Sequence, residues 1–167
     1  MKSLGVILGI ALLGVVGGVV FLWPSQRTGA EPITYGRDAC AHCRMHLSQP
    51  GFAAELRDTS GVLTKYDDIG CMLQDMVALH HEVPEAWVED HDGGGFLPLL
   101  SARLVRSDRI ETPMGYGIVA FKDEDAAQRF ARAQGGEVLA LEDILQQPAR
   151  IVPARKMRAS TTREVGS

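Results

Sequence analysis

The chain has 167 residues, 17 Lys and Arg against 21 Asp and Glu, three cysteines and 46% hydrophobic residues. That length can bury a core without disulfide staples, and a formal charge of −4 excludes a basic nucleic-acid binder as the leading class. Three cysteines are too few for a disulfide scaffold, and an odd number cannot all pair within one chain.

The first element is an uncharged run of twenty residues, Leu4 to Trp23. At about 1.5 Å per residue it is long enough to cross the roughly 30 Å hydrocarbon layer of a bilayer. A cleaved secretory signal has a shorter apolar stretch, about 7–15 residues, so residues 1–23 read as a transmembrane anchor in preference to a signal segment. No cysteine precedes Cys40, which excludes a lipoprotein anchor. Lys2 weakly favours a cytoplasmic N-terminus, and the rest of the chain would then be exported to the periplasm, held on the inner membrane by a single pass. Residues 24–34, containing Pro24, Ser25, Gly29 and Pro32, read as a linker.

The next stretch has no strand or helix period but is dense in soft ligands. Cys40-Ala-His42-Cys43-Arg-Met45-His46 carries two thiols, a thioether and two imidazoles within seven residues. Cysteine, methionine and histidine together select copper(I), zinc or iron–sulfur iron over hard cations. The Cys-x-x-Cys spacing alone is also that of redox dithiols and half zinc sites. Met45 favours copper(I), because a thioether is a poor zinc ligand and contributes nothing to thiol exchange. No second Cys-x-x-Cys or His-x₃-His follows, and iron–sulfur clusters normally require four cysteines. A structural Cys40–Cys43 disulfide is the bland alternative. His42 and His46 either ligate or flank the site.

From Phe52 onward the pattern becomes regular. Phe52–Arg57 and Val62–Tyr66 read as strands joined by the turn Asp58-Thr-Ser-Gly61. Asp67 and Asp68 supply an N-cap and a negative first turn for a helix to about His80. Its apolar stripe is Ile69, Met72, Leu73, Met76 and Leu79. Cys71 falls about 200° from Ile69 on that helix, off the stripe, so packing against another element is favoured over ligation. Ala86–Asp90 reads as a strand, His91 as part of a solvated turn, and Gly93–Gly95 as a break. The order then repeats. Leu99–Val105 and Gly117–Phe121 are strand-like, Asp123 caps a helix to about Gln134, and Gly135-Gly136 ends it. Glu137–Ala140 is the last strand, before a short helix at Leu141–Gln147. Ahead of Gly117 lies Thr112-Pro-Met114-Gly-Tyr-Gly, which puts a methionine in a Pro/Gly turn where a core methionine is not expected. Residues 149–167 carry five bases and one acid with few apolar residues, and read as a disordered basic tail. Setting aside Lys2, those five bases and Glu164 leaves 11 bases against 20 acids over residues 24–148, a net charge of −9. Such a body tolerates cationic cargo and repels polyanions.

The resulting expectation is an α+β fold of two similar ββαβ units, residues 35–96 and 97–148, following an N-terminal membrane-anchoring helix. Cys40-Ala-His-Cys43-Arg-Met45, Phe52-Ala-Ala-Glu-Leu, Tyr66-Asp-Asp-Ile-Gly-Cys-Met72 and Thr112-Pro-Met-Gly-Tyr-Gly-Ile-Val-Ala-Phe121 also occur in an order that resembles the NosL family, from about Tyr35 to Leu145. The resemblance implies two ββαβ units and a copper(I) accessory protein for nitrous oxide reductase, working with the NosDFY transporter complex. It implies Cys40, Cys43, Met45 and Met114 as metal ligands. The family usually has glycine where this chain has Arg44, and many of its members are lipoproteins. A chaperone is expected rather than an enzyme. The rival is a membrane-anchored thiol–disulfide oxidoreductase using Cys40 and Cys43.

Overall fold

The computed structural model describes residues 29–78, 85–93, 95–148 and 151. The apolar run Leu4–Trp23, linker residues 24–28, Leu79 at the end of the predicted stripe, and the tail apart from Ile151 lie outside the described residues. Among the described residues, no helix is long and apolar enough to cross a membrane.

Alternation in the first two apolar stretches resolves as the hairpin of β1 (Ala54–Arg57) and β2 (Leu63–Tyr66), with Ala54 opposite Tyr66 and Arg57 opposite Leu63. Asp58 shapes the turn: its Oδ1 accepts the N–H groups of Ser60 and Val62, both at 2.9 Å, the local bonding that makes aspartate a turn residue. Helix α1 (Ile69–Ala78) follows, and β3 (Glu85–Glu89) returns to pair antiparallel with β1. A short strand not expected from the sequence, β4 (Phe96–Pro98), adds to β3, so the first sheet runs β2-β1-β3-β4.

The second sheet is built in the same sense from β5 (Arg103–Arg106), β6 (Ile118–Phe121) and β7 (Glu137–Leu139), in the order β6-β5-β7. In both sheets the earliest strand is central; the second strand flanks it on one side and the strand after the helix on the other. Helix α2 (Glu124–Gln134) starts at Asp123, whose side chain accepts the Ala126 N–H, and stops at Gly135 in the left-handed conformation. Short helix α3 (Leu141–Gln146) closes the described body.

The expected strand Leu99–Val105 is divided. Leu99–Ser101 forms one 3₁₀ turn, and extended structure begins only at Arg103. Pro98 has no N–H with which to prolong the ladder, and the chain must change direction there to pass from the first sheet to the second.

A continuous core joins the two sheets: Leu56, Met72 and Met76 share one cluster with Leu104, Ile118, Leu139 and Ile144. The two sheets also touch through a parallel bridge between Asp90 and Ala120, with the His91 N–H donated to the Ala120 carbonyl at 2.8 Å. His91 is therefore not a solvated turn residue. Its ring packs among Phe52, Phe121 and Phe130, with centroid separations of 5.4, 5.6 and 5.1 Å.

The outer face of the first sheet carries the chain that leads into it. Arg57 donates to the Gly29 carbonyl at 3.0 Å, Glu55 accepts the Glu31 N–H at 2.7 Å, and Lys65 donates to the Pro32 carbonyl at 2.8 Å. Residues 29–34, which composition reads as the end of a linker, are strapped across β1 and β2.

Candidate metal centre

The segment before β1 has no strand period because it folds back on itself as a tight irregular hairpin. Ala39 and His46 form an isolated antiparallel bridge, the Cys40 N–H is donated to the Met45 carbonyl at 2.8 Å, and the Arg44 N–H to the Cys40 carbonyl at 3.0 Å. The turn forces Arg44 to φ 65°, and it is the one non-glycine residue with positive φ among the described residues. Fully buried Leu47 pins the return arm into the core. Ala41 donates to the Lys65 carbonyl at 2.9 Å, and Ser48 donates its N–H to Asp67 Oδ1 at 2.6 Å, fixing both arms to the end of β2.

That anchoring sets the hairpin against the start of α1. The sulfurs of Cys40, Cys43 and Cys71 all lie within 4.8 Å of one another, and all three thiols are free. Cys40 and Cys71 are 1% and 0% exposed, and Cys43 is half-buried. Sequence periodicity placed Cys71 off the core stripe of α1. The helix, however, is covered on more than one side, with Ile69, Gly70, Cys71, Met72, Leu73 and Met76 all buried, and the second covered side is the one facing the hairpin. The one signal for Cys71 in the sequence is its position in the first turn after Asp67-Asp68, the corner to which the hairpin is bonded.

The electrostatics of the cluster are those of one shared negative charge. The Cys71 thiol donates to Cys40 and is the main reason why the Cys40 thiol is lowered to about 5, against burial; the Cys43 and Asp67 backbones also donate. Cys71, as that donor and as a buried group, is pushed up. Cys43 is raised chiefly by burial. Three interacting thiols titrate as a set, and the lowest value belongs to the group that collects the donors.

The other candidate ligands are placed as follows. Met45 is 58% exposed at the lip of the hairpin. Met114 is half-buried and packs against the core in the loop ahead of β6. That loop is docked on the start of α1, since Asp68 Oδ2 accepts both the Thr112 hydroxyl at 2.6 Å and the Met114 N–H at 3.0 Å. Among the described residues, His42 and His46 are not part of the sulfur cluster. His42 Nδ1 is 2.6 Å from Asp75 Oδ1, and His46 Nδ1 is 3.2 Å from the Arg37 carbonyl.

Soft sulfur donors grouped in a largely buried site suit a soft, low-coordinate metal ion. The NosL family model matches residues 33–149, which spans the hairpin, both sheets and all three helices. The chain belongs to the NosL family. Its fold is similar to the crystal structure of the copper chaperone NosL from Shewanella denitrificans, with a TM-score of 0.63 and 20% sequence identity over 70% of this chain and 95% of that one. No curated protein matches the chain.

Proposed function

We propose that this protein is a copper(I) chaperone that binds the ion among Cys40, Cys43 and Cys71, with Met45 and Met114 as thioether donors. It delivers that copper to nitrous oxide reductase together with the NosDFY transporter complex. It works on the periplasmic side of the inner membrane, held there by residues 1–23. The observation that carries this reading is the convergence of three free thiols from two separate segments. The chaperone named among the similar structures supports it, as does the family.

The chemistry is that of capture and release. Thiolates bind copper(I) tightly, and Cys40 is already poised as one. Met45, exposed beside Cys43, offers a weaker donor at the surface, where a partner's ligand can enter as a thiolate leaves. Thiol–disulfide exchange is a poorer reading, because an oxidoreductase needs its activated thiol accessible. Here the thiol with the low value is buried Cys40, and the more accessible Cys43 is raised.

The test is a titration of the reduced protein with copper(I) against a chromophoric chelator. One tightly held ion per chain, lost in Cys40→Ser/Cys43→Ser, is the expected result. A chain that binds no copper, or a double variant that binds as tightly as wild type, refutes the reading. Transfer from the loaded protein to copper-free reductase, followed by the reductase's copper absorption, tests delivery separately.

A further inference from the structure

The sulfur donors come from three segments: the hairpin with Cys40, Cys43 and Met45, the first turn of α1 with Cys71, and the Thr112–Gly117 loop with Met114. The hairpin is bonded to Lys65 and Asp67 just ahead of the helix, and His42 reaches Asp75 on the helix itself. The Met114 loop reaches the helix by hydrogen bonds that converge on one side chain, Asp68, which is 0% exposed. Its Oδ1 accepts the Gly70 N–H at 2.9 Å, one residue before Cys71. Its Oδ2 accepts the Thr112 hydroxyl at 2.6 Å and the Met114 N–H at 3.0 Å. Thr112 Oγ1 in turn accepts the Gly117 N–H at 3.2 Å, which closes the loop on itself. The partners are two amides and a hydroxyl, all neutral. Burying a carboxylate on neutral donors is a costly way to close a turn, and here the carboxylate lies at the junction between two sulfur-bearing segments. The tie is made to the Met114 backbone, so the flexible thioether keeps its own rotamers while its point of attachment is fixed.

We infer that Asp68 is a positioning residue for the metal site, holding the Met114 arm at a set distance from the helix that carries Cys71. The inference rests on the copper(I) reading above and on Met114 as a ligand. Residues that orient ligands from outside a site typically contribute 10–100-fold to metal affinity. Asp68→Asn retains the size of the side chain but presents an NH₂ group to one set of N–H and O–H donors. Thr112→Val leaves the carboxylate in place and removes one of its two bonds to the loop.

The full chain in detergent, reduced, is titrated with copper(I) against a chelator, and its sulfur ligands are counted by X-ray absorption. The expected result is a loss of about tenfold in affinity and of one sulfur ligand in Asp68→Asn, matching Met114→Ala. Thr112→Val shifts the same two readouts in the same direction. In the Met114→Ala background neither substitution weakens binding further. Should Asp68→Asn fail to fold, the Thr112→Val pair carries the same comparison. Losses that persist in the Met114→Ala background, or single variants with unchanged affinity and ligand count, overturn the role of Asp68 while leaving copper binding intact. A wild-type chain that binds no copper overturns the copper reading and the role of Asp68 with it.

Discussion

The ring of Tyr116 occupies the space that a side chain at Gly70 would need: a Cβ there would lie 2.1 Å from Tyr116 Cγ. Both residues are buried, one residue away from Cys71 and two away from Met114 respectively. Gly70→Ala must therefore displace the ring or the start of α1. Overpacking of this kind costs about 1–3 kcal/mol, and the apo protein should melt several degrees lower, by roughly 2–4 °C per kcal/mol for a chain of this size. An unchanged melting temperature would show that the contact is loose.

Copper affinity should depend on pH with a sign and slope set by the three thiols. Cys40, lowered to about 5, is already ionised at neutral pH, whereas Cys43 and Cys71 are raised and keep their protons. Binding to all three sulfurs must release the protons of the latter two. The logarithm of the affinity should then rise by about 2 per pH unit near neutrality and steepen toward about 3 below pH 5, where Cys40 also protonates. Chelator competition across that range measures it. A slope near 1 at neutrality would mean that one of the raised thiols stays out of the site.

Asp38 gives the hairpin's entry arm an acid-sensitive anchor. Its Oδ2 receives Lys65 Nζ at 2.7 Å and the Thr34 N–H at 2.9 Å, and Lys65 above all holds its carboxyl below the usual 3.8. A value depressed in the folded state means stabilisation that is complete above the unfolded value and lost as the pH falls through the folded one. Asp38→Asn should cost up to about 1 kcal/mol at neutral pH, as expected for a partly exposed pair. Its unfolding curve should merge with that of wild type in acid. A deficit that stays constant down to low pH would assign the loss to packing.

Arg44 stands at φ 65°, a conformation that costs a residue with a Cβ roughly 1–2 kcal/mol and glycine almost nothing. Where the resemblance to the family leads one to expect glycine, the backbone has the shape that glycine would take. After the extra chain freedom of glycine in the unfolded state is subtracted, Arg44→Gly should stabilise the apo protein by roughly 0.5–1 kcal/mol. Denaturant unfolding at constant slope reads this directly, and a loss of stability would mean that the guanidinium contributes more than the strain costs.

Most of the strands and the two caps of α2 were legible because each is governed by its own residues. Alternation in Val62–Tyr66, the Asp58 turn, Asp123 at the head of α2 and Gly135 at its end all specify local geometry that the fold uses. What failed depended on distant partners. His91 has charged neighbours in the sequence, yet its ring is surrounded by aromatics from the approach to β1, from β6 and from α2. Cys71, off the stripe of α1, packs against another element as its position implies, and that element is the hairpin that carries the other two thiols. The thiols of Cys40 and Cys43 announced themselves by spacing, whereas the third sulfur beside them is 28 residues downstream of Cys43 and joins through tertiary structure alone.

The strap of residues 29–34 on the first sheet gives the molecule a mechanical order. A pull on the chain ahead of Gly29 would first load Arg57, Glu55 and Lys65, which grip the backbone at Gly29, Glu31 and Pro32. Those grips stand on β1 and β2, the paired strands at one side of the first sheet, and they come before Asp38 and the hairpin in the path of the force. Along the chain, the first attachments a pull meets are therefore on the sheet, ahead of the segment that carries Cys40.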